Sequence, residues 1–205
     1  MSVALIDYNM GNLGSVAKAL EFVGASARVV ADGRKLNGFD CCILPGVGNF
    51  GDGMENLRQR GFDRAIREFV ASGGYLLGIC LGMQMLFEES EEAPGVAGLG
   101  VFPGKVLRFP DGEEKVPHMG WNSLSPTPGC PLFDGIGDGS FFYFVHSYYV
   151  PENPAWTAAS CRYILPFSAA VGSGRWFATQ FHPEKSGEVG LQMLRNFAKL
   201  TEVGK

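Results

Sequence analysis

Hydrophobic and polar positions in the first half of the chain alternate between two periods. Short apolar runs, VALID, ARVV, CCILP and YLLGI, indicate buried strands. Between them, the stretch LGSVAKALEFV, closed by Gly24, and a long stretch from Gly53 to Ser72 repeat their apolar positions at helical spacing. Strands that alternate with helices in this way predict a parallel sheet covered by helices.

The second half of the chain has a different pattern. After Ala97, strand-like runs are separated by Gly, Pro and Asp turns: VFPGKVLRF, EKVPHMGWNSL, SFFYFVHSYYV, WTAASCRY and RWFATQFH. The closing stretch SGEVGLQMLRNFAKL predicts a helix that Ser186 can cap. Its apolar face is formed by Val189, Met193, Leu194 and Phe197. The whole pattern predicts an α/β fold with an open, mostly parallel central sheet flanked by helices, and additional antiparallel strands in the second half.

Length and charge limit the classes of function. A chain of 205 residues with 46% hydrophobic content is long enough for one buried core, so we expect a single domain over residues 1–205. The net charge of −4 comes from acidic and basic residues spread along the chain, so we expect neither nucleic acid nor a membrane surface as a partner. With no basic leader and no apolar run near the ~18 residues of a membrane span, we expect a cytoplasmic protein.

Cysteine usage points to a reducing compartment. The five cysteines are odd in number, lack C-x-x-C spacing and lie mostly within apolar runs: Cys41, Cys42, Cys80, Cys130 and Cys161. This pattern is typical of free thiols in a cytoplasm. We therefore expect neither disulfides nor a structural zinc site.

One of these cysteines, Cys80, lies between two glycines in GICLG, where an apolar run gives way to a helical pattern. The spacing G-x-C-x-G is that of a nucleophile elbow, in which glycines avoid clashes at a tight turn and the nucleophile adopts a strained backbone conformation. A helix N-terminus favours the thiolate, and the N–H of Leu81 is placed to bind an oxyanion. The alternative is that Cys80 is a small core residue at the end of a buried strand.

A cysteine nucleophile needs a base, and QFHPEKS supplies a candidate. Side chains at i and i+2 of an extended backbone point the same way, and Pro183 biases His182 toward extended geometry. Glu184 can therefore hold the imidazole. We predict a triad of Cys80, His182 and Glu184, in which the histidine takes the thiol proton and later protonates a leaving group.

The other two histidines are weaker candidates. His146 is flanked by aromatic residues in FFYFVHSYYV and is interpreted as a packed strand residue, whereas His118 has no carboxylate close to it in sequence. No two histidines have the i, i+3 or i, i+4 spacing of metal ligands, and H-E-x-x-H is absent from the sequence. We expect no metal and no cofactor.

The stretch GVGNFG, residues 46–51, raises a dinucleotide site as an alternative, because it has the G-x-G-x-x-G spacing after a strand. It follows the third strand-like run rather than the first, and the acidic residue about 20 positions on, Glu68, lies in a helical pattern rather than at a strand end. A glycine loop beside the elbow has another use. It can bring the N–H of Val47 or Gly48 to the far side of an oxyanion held by Leu81.

Together, GICLGMQ, QFHPEKS and PGVGNFG resemble the triad-type (class I) glutamine amidotransferases, and the resemblance runs nearly from end to end. It implies a fold of that family, the nucleophile, base and orienting roles of the triad, and backbone oxyanion contacts from the loops already described. It also implies that Gln84 contacts bound L-glutamine, that Glu92 binds the substrate ammonium, and that Ser147 and Tyr148 lie near its α-carboxylate. Glu92 belongs to EESEE, which we place at a helix C-terminus, where the carboxylates oppose the dipole.

Within the family, PHMGWN, YFVHSYY and GDGM resemble the glutaminase subunits of imidazole glycerol phosphate synthase, which act in histidine biosynthesis. The resemblance implies a heterodimer with the cyclase subunit of that synthase, a β/α barrel that receives the ammonia. It places five positions at or near the interface: Asn12, Met119, Trp121, Tyr143 and Lys185. The alternative for Met119, Trp121 and Tyr143 is ordinary core packing.

Two other functions remain open on the same scaffold, a glutaminase of another pathway and a catalytically silent regulatory module. PHMGWN argues against the first, and the intact triad argues against the second. In DYNMGN, Asn9 stands where glycine is common in the family. Because Asn tolerates a left-handed conformation, we expect this turn to survive.

Overall fold

The computed structural model describes residues 2–112 and 114–203. The strands are β1 Ser2–Ile6, β2 Ser26–Val30, β3 Cys41–Leu44, β4 Tyr75–Ile79, β5 Glu89–Ser90, β6 Lys105–Arg108, β7 His118–Ser123, β8 Ser125–Pro126, β9 Phe141–His146, β10 Tyr148–Tyr149, β11 Thr157–Arg162, β12 Pro166–Ser173 and β13 Trp176–Thr179. The α-helices are α1 Leu13–Phe22, α2 Phe50–Gln59, α3 Phe62–Ala71, α4 Leu81–Met85 and α5 Gly187–Val203.

An eight-stranded sheet has the strand order β2-β1-β3-β4-β13-β12-β11-β8. The first five strands are parallel, and the last three continue the sheet in antiparallel fashion. A three-stranded sheet, β10-β6-β5, and the antiparallel pair β7–β9 lie outside it. This arrangement confirms the predicted fold class, with parallel strands first and antiparallel strands in the second half.

The central strands are buried on both faces, which explains their continuous apolar sequences. Every residue of β3, CCIL, is buried. Its alternate side chains enter two separate hydrophobic clusters, Ile43 on one face and Leu44 on the other. Helices α1 and α5 cover the first face, and α2 and α3 cover the second.

The helices and strands differ from the predicted ones at two places. The stretch from Gly53 to Ser72 forms two helices, because Gly61 adopts a left-handed backbone, φ 68°, that ends α2 and starts α3. Strand β12 was not predicted, because its central residues, Ser168 to Val171, are all buried and show no alternation. Asn9 does take the left-handed conformation expected of it, with φ 68°.

Strand ends bring the candidate residues together. Strands β3, β4 and β13 are adjacent and parallel, so the segments that follow them, residues 45–49, Cys80 and residues 180–185, meet at one edge of the sheet. Ser186 does not cap α5 through its side chain, contrary to prediction. Its hydroxyl donates to the carbonyl of His182 at 2.6 Å and accepts from the N–H of Tyr143 at 3.0 Å, which ties the turn after β13 to β9.

Within residues 2–112 and 114–203, no helix combines the length and the apolar character that a membrane span requires.

Candidate active site

Cys80 occupies a sharp turn between β4 and α4. Its backbone has φ 54° and ψ −110°, a conformation that non-glycine residues rarely adopt, as expected for a nucleophile elbow. Gly82 is required at this turn, because a Cβ there would collide with the carbonyl oxygen of Leu44 at the end of β3. The predicted stabilisation of the Cys80 thiolate by the helix dipole is limited, since α4 has only five residues.

His182 and Glu184 form a buried pair beside the cysteine. Nδ1 of His182 lies 2.8 Å from Oε1 of Glu184, and each side chain is only 2% exposed. Among the described residues, Nε2 of His182 and Oε2 of Glu184 have no hydrogen-bond partner. The carboxylate therefore holds the imidazole by one nitrogen and leaves the other free for a proton.

The surroundings of His182 favour its charged form. Burial lowers the pKa of His182, but its interactions with Cys80 and Glu184 outweigh burial and raise the pKa to about 9. A proton on this imidazole is thus stabilised by the sulfur on one side and the carboxylate on the other. Such a pair is suited to take a proton from the thiol and hold it for a leaving group.

A cavity of about 310 Å³ opens onto the elbow. It contains nine of the residues predicted for the triad, the oxyanion contacts and substrate binding: Val47, Gly48, Cys80, Leu81, Gln84, Glu92, Ser147, Tyr148 and His182. Pro117, Val145 and His146 complete its lining. The structure therefore brings these predicted residues into one site, with Glu184 held against His182.

Gln84 and Glu92 both offer oxygen atoms to this cavity. Nε2 of Gln84 donates to Oε1 of Gln180 at 3.0 Å and to the carbonyl of Tyr148 at 3.3 Å, which leaves its Oε1 as the atom available to a ligand. Glu92 is half-buried, and its Oε2 accepts the N–H of Phe50 at 2.7 Å. Burial raises the pKa of Glu92, with the Phe50 N–H lowering it and Asp52 raising it further. Two acceptor residues in the lining of one cavity suit a cationic group.

The position predicted for EESEE was wrong. Helix α4 ends at Met85, and Glu89–Ser90 forms β5. Glu92 lies instead at the N-terminus of α2, where it accepts the first N–H of that helix. The dipole of α2 therefore favours this carboxylate rather than opposing it.

The loop after β3 lies directly against the elbow. A Cβ on Gly46 would come within 2.8 Å of Cβ of Leu81, so the glycine allows the two loops to touch. Gly48 has φ 107°, and the Val47 side chain is 41% exposed beside the cavity. The dinucleotide alternative loses support, because Glu68 lies on α3 and pairs with Arg64 at the surface.

The predicted interface residues Met119 and Trp121 are on the surface, not in the core. They are 64% and 55% exposed on β7, and Phe141 of β9 is 57% exposed on the same face. Tyr143, paired with Trp121 across the strands, is half-buried and meets its ring edge-on at 6.1 Å. Nζ of Lys185 lies 5.8 Å from the Tyr143 ring centroid.

Asn12, the fifth predicted interface residue, is exposed and caps α1. Its side-chain oxygen accepts the N–H of Ser15 at 3.2 Å. Helix α1 contacts the turn formed by residues 183–185, which also carries Lys185. We call the surface formed by Met119, Trp121, Phe141, Tyr143 and Lys185 the β7–β9 face.

Sequence reasoning missed two buried residues of the site. Gln180 is fully buried, and its Nε2 lies 3.9 Å from the Cys80 sulfur. The two-residue alternation back from His182 is the signal that could have indicated it. His146 is packed, as interpreted, but it also lines the cavity.

Comparison with known proteins agrees with this geometry. The family model described as glutamine amidotransferase class-I matches residues 4–200. The chain belongs to the class I glutamine amidotransferases. Two relatives named imidazole glycerol phosphate synthase subunit HisH are each 50% identical over 200 residues. That of Methanosarcina acetivorans covers 97% of this chain and 98% of its own length, and that of Moorella thermoacetica covers 97% and 94%.

Solved structures agree at the level of the fold. A glutamine amidotransferase crystal structure superposes with a TM-score of 0.77 at 22% identity, covering 97% of this chain and 98% of its own. The structure of PurLQS from Thermotoga maritima gives a TM-score of 0.77 at 21% identity with the same coverage. These similarities establish the class I amidotransferase architecture.

Proposed function

We propose that this chain is the glutaminase subunit of an imidazole glycerol phosphate synthase. It hydrolyses L-glutamine to glutamate and ammonia and delivers the ammonia to a cyclase subunit in histidine biosynthesis. The observation that carries this proposal is the strained Cys80 elbow, which opens into a cavity also lined by His182, whose Nδ1 is held by the buried Glu184. The relatives named as subunits of that synthase support the pathway.

In the first half of the reaction, Nε2 of His182 takes the thiol proton and the Cys80 sulfur attacks the carboxamide carbon of glutamine. The N–H groups of Leu81 and of the Val47–Gly48 loop bind the oxyanion that forms. When the C–N bond breaks, His182 returns the proton to the leaving nitrogen, and ammonia departs. Glu184 keeps the imidazole oriented during both transfers.

In the second half, water attacks the glutamyl thioester while His182 takes a proton from it. The C–S bond breaks, glutamate leaves and the Cys80 thiol is restored. Throughout, Glu92 and the Oε1 of Gln84 hold the substrate ammonium, and Ser147 and Tyr148 hold its α-carboxylate. Both acceptors and the segment 147–148 line the cavity beside the sulfur.

The proposed partner is the cyclase subunit, a β/α barrel, in a heterodimer in the cytoplasm. The β7–β9 face suits this contact, because it exposes one methionine, two large aromatic rings and a lysine beside the site. Asn12 completes the predicted contact from α1. Ammonia passed directly across such an interface is kept from protonation by bulk water.

The decisive experiment uses the full chain together with its cyclase. In the Cys80→Ala complex, product formation from glutamine falls by roughly 10³-fold or more, because the nucleophile is absent. Product formation from added ammonium salt continues, because the cyclase needs only ammonia. Cys161→Ala is the matched control, since Cys161 is also a buried free thiol, in β11.

Each arm has an outcome that contradicts the proposal. Glutamine-dependent activity retained by Cys80→Ala contradicts the nucleophile. A wild-type chain that neither binds the cyclase nor supplies it with ammonia contradicts the assignment to histidine biosynthesis. The site would then be that of a glutaminase from another pathway.

A further inference from the structure

Two buried histidines face each other across the β7–β9 pair, beside the cavity. His118 and His146 are directly opposite in the strand register, and Nδ1 of His118 lies 3.0 Å from Nε2 of His146. They are 3% and 5% exposed. The His118 ring is stacked against Tyr163 at 4.1 Å and Phe144 at 4.8 Å. The proposed reaction uses neither ring.

The hydrogen bonds of this pair begin and end at main-chain carbonyls. Nδ2 of Asn122 donates to the carbonyl of Arg162 at 3.0 Å and lies 3.3 Å from Nε2 of His118. At the other end, Nδ1 of His146 lies 2.7 Å from the carbonyl of Tyr148. Carbonyl oxygens only accept hydrogen bonds, so the direction of the hydrogen bond is fixed at both ends of this series.

Only one protonation pattern satisfies all four contacts. His146 must carry its proton on Nδ1 to donate to Tyr148, and a neutral His146 then accepts at Nε2 from Nδ1–H of His118. His118 in turn accepts at Nε2 from the amide of Asn122. A second proton on either ring would set two N–H groups facing each other, at His118 Nε2 or between the rings. We call the series of hydrogen bonds Asn122–His118–His146–Tyr148 the relay. Every donor in it points the same way, from Asn122 toward the carbonyl of Tyr148.

Burial agrees with two neutral rings. Desolvation lowers the pKa of His118 to about 4. Desolvation also lowers the pKa of His146 to about 3, where the Tyr148 carbonyl raises it and the neighbouring His118 and His182 lower it further. Near neutral pH both rings remain uncharged, as the geometry requires.

The end of this relay is part of the wall of the cavity. The carbonyl of Tyr148 accepts from His146 and also from Nε2 of Gln84, whose second N–H is held by Gln180. The relay thus holds the Tyr148 carbonyl in place. Because this carbonyl accepts from Nε2 of Gln84, it orients the Gln84 amide and leaves Oε1 of Gln84 available to a ligand. It also fixes segment 147–148, which lines the same cavity.

We infer that His118 and His146 are positioning residues for glutamine, because their one-way relay orients the Tyr148 carbonyl and, through it, the Gln84 amide. The inference rests on the proposed function for the identity of the ligand. The relay also starts on β7, where His118 and Asn122 point inward while Met119 and Trp121 point outward.

The direction of the relay is tested without any assay of activity. Nitrogen NMR of the wild-type full chain near neutral pH should show both histidines neutral and protonated on Nδ1, the less common tautomer of free histidine. A charged ring, or a proton on Nε2 of either His118 or His146, overturns the inference. This readout stands even if glutamine is not the substrate.

The positioning role is tested by two substitutions with opposite defects. His118→Phe keeps an aromatic ring between Tyr163 and Phe144 but removes the donor to His146. His118→Asn loses the ring, but its amide nitrogen can occupy the place of Nδ1 and keep the donor. Tyr163→Phe is the control, because it keeps the stacking and removes only a hydroxyl bonded to the carbonyl of Lys115.

Glutamine kinetics are measured for each variant in complex with the cyclase. We expect His118→Phe to raise KM for glutamine roughly tenfold with little change in kcat, because loss of one buried hydrogen bond weakens ground-state and transition-state binding alike. His118→Asn and Tyr163→Phe should stay close to wild type in KM. If His118→Phe has a normal KM, or if His118→Asn is the more impaired of the pair, His118 serves packing alone. A wild-type complex that does not hydrolyse glutamine refutes the proposed function instead.

Discussion

The imidazole of His182 is held through Nδ1 by Oε1 of Glu184 at 2.8 Å, in a position where both side chains are almost completely buried. This contact fixes the tautomer and turns Nε2 toward the nucleophile side. Replacing either residue with an apolar one would leave the other as an unpaired buried polar group. The pair is therefore the most constrained part of the proposed catalytic machinery.

Replacing Glu184 with Gln should reduce kcat by roughly 10² to 10⁴-fold, because the neutral amide no longer stabilises the imidazolium or selects its tautomer. KM for glutamine should change little, since Glu184 does not line the cavity. Steady-state kinetics with the cyclase present check this. Glu188→Gln, on the exposed surface of α5, is the control and should behave as wild type. Equal kcat values for the two variants would refute the role of Glu184.

The buried histidines make stability fall in mild acid. His118 and His146 have folded-state pKa values of about 4 and about 3, so below pH ~6.5 the unfolded chain binds more protons than the folded one. The free energy of unfolding should fall with decreasing pH by up to about 1.4 kcal/mol per pH unit for each histidine. His182, whose pKa is raised to about 9, stays protonated in the folded chain, so it opposes this fall near pH 6.5, where the unfolded imidazole is half-protonated, and adds almost no slope near pH 5.

Urea unfolding between pH 6.5 and pH 5, above the usual range of carboxylates, measures this slope. His118→Phe should make it shallower by the share of one histidine. An identical slope in the variant and the wild type would show that His118 is not a neutral buried base in the folded chain.

The exposed ring of Trp121 should anchor the cyclase. Trp121→Ala is expected to raise the Kd for the cyclase roughly 10- to 100-fold, because large aromatic residues at the centre of an interface carry much of its binding energy. Isothermal titration measures the change. Phe22→Ala provides the comparison, since Phe22 is 70% exposed at the far end of α1 from Asn12. Similar Kd values for both variants would place the partner elsewhere.

Much of the fold and of the catalytic pair follows from local sequence. Strands β3 and β4 are continuous apolar runs. Gly82 of GICLG is required by the close approach of the Leu44 carbonyl, and a Cβ on Gly78 would lie 3.0 Å from the Gly82 backbone and from Leu86, so the local pattern located the elbow. The contact between His182 and Glu184 was predicted from the two-residue spacing of an extended backbone and from Pro183. His182 is extended, with φ −99° and ψ 97°, but Pro183–Lys185 forms a 3₁₀ turn, so the backbone expected at Glu184 was wrong although the two side chains do meet. These features depend on neighbours in the chain, which is why they can be read from it.

The missing parts depend on contacts between distant segments. The pairing of His118 with His146 follows from the register of β7 and β9, which no local pattern specifies. Strand β12 lacks alternation because it is buried on both faces. Glu92 follows β5, a strand that replaces the predicted continuation of the helix, and in this position its carboxylate meets the N-terminus of α2. Tertiary packing decides each of these.

The most direct test of the account is alkylation of the full chain by a glutamine-analogue electrophile, followed by mass spectrometry of its peptides. One adduct is predicted, on Cys80, with its formation slowed by excess glutamine and abolished in Cys80→Ala. The other four cysteines should remain unmodified. Modification that spreads over several cysteines regardless of glutamine, or an unmodified Cys80 in the presence of the cyclase, would contradict a glutamine site built on this nucleophile.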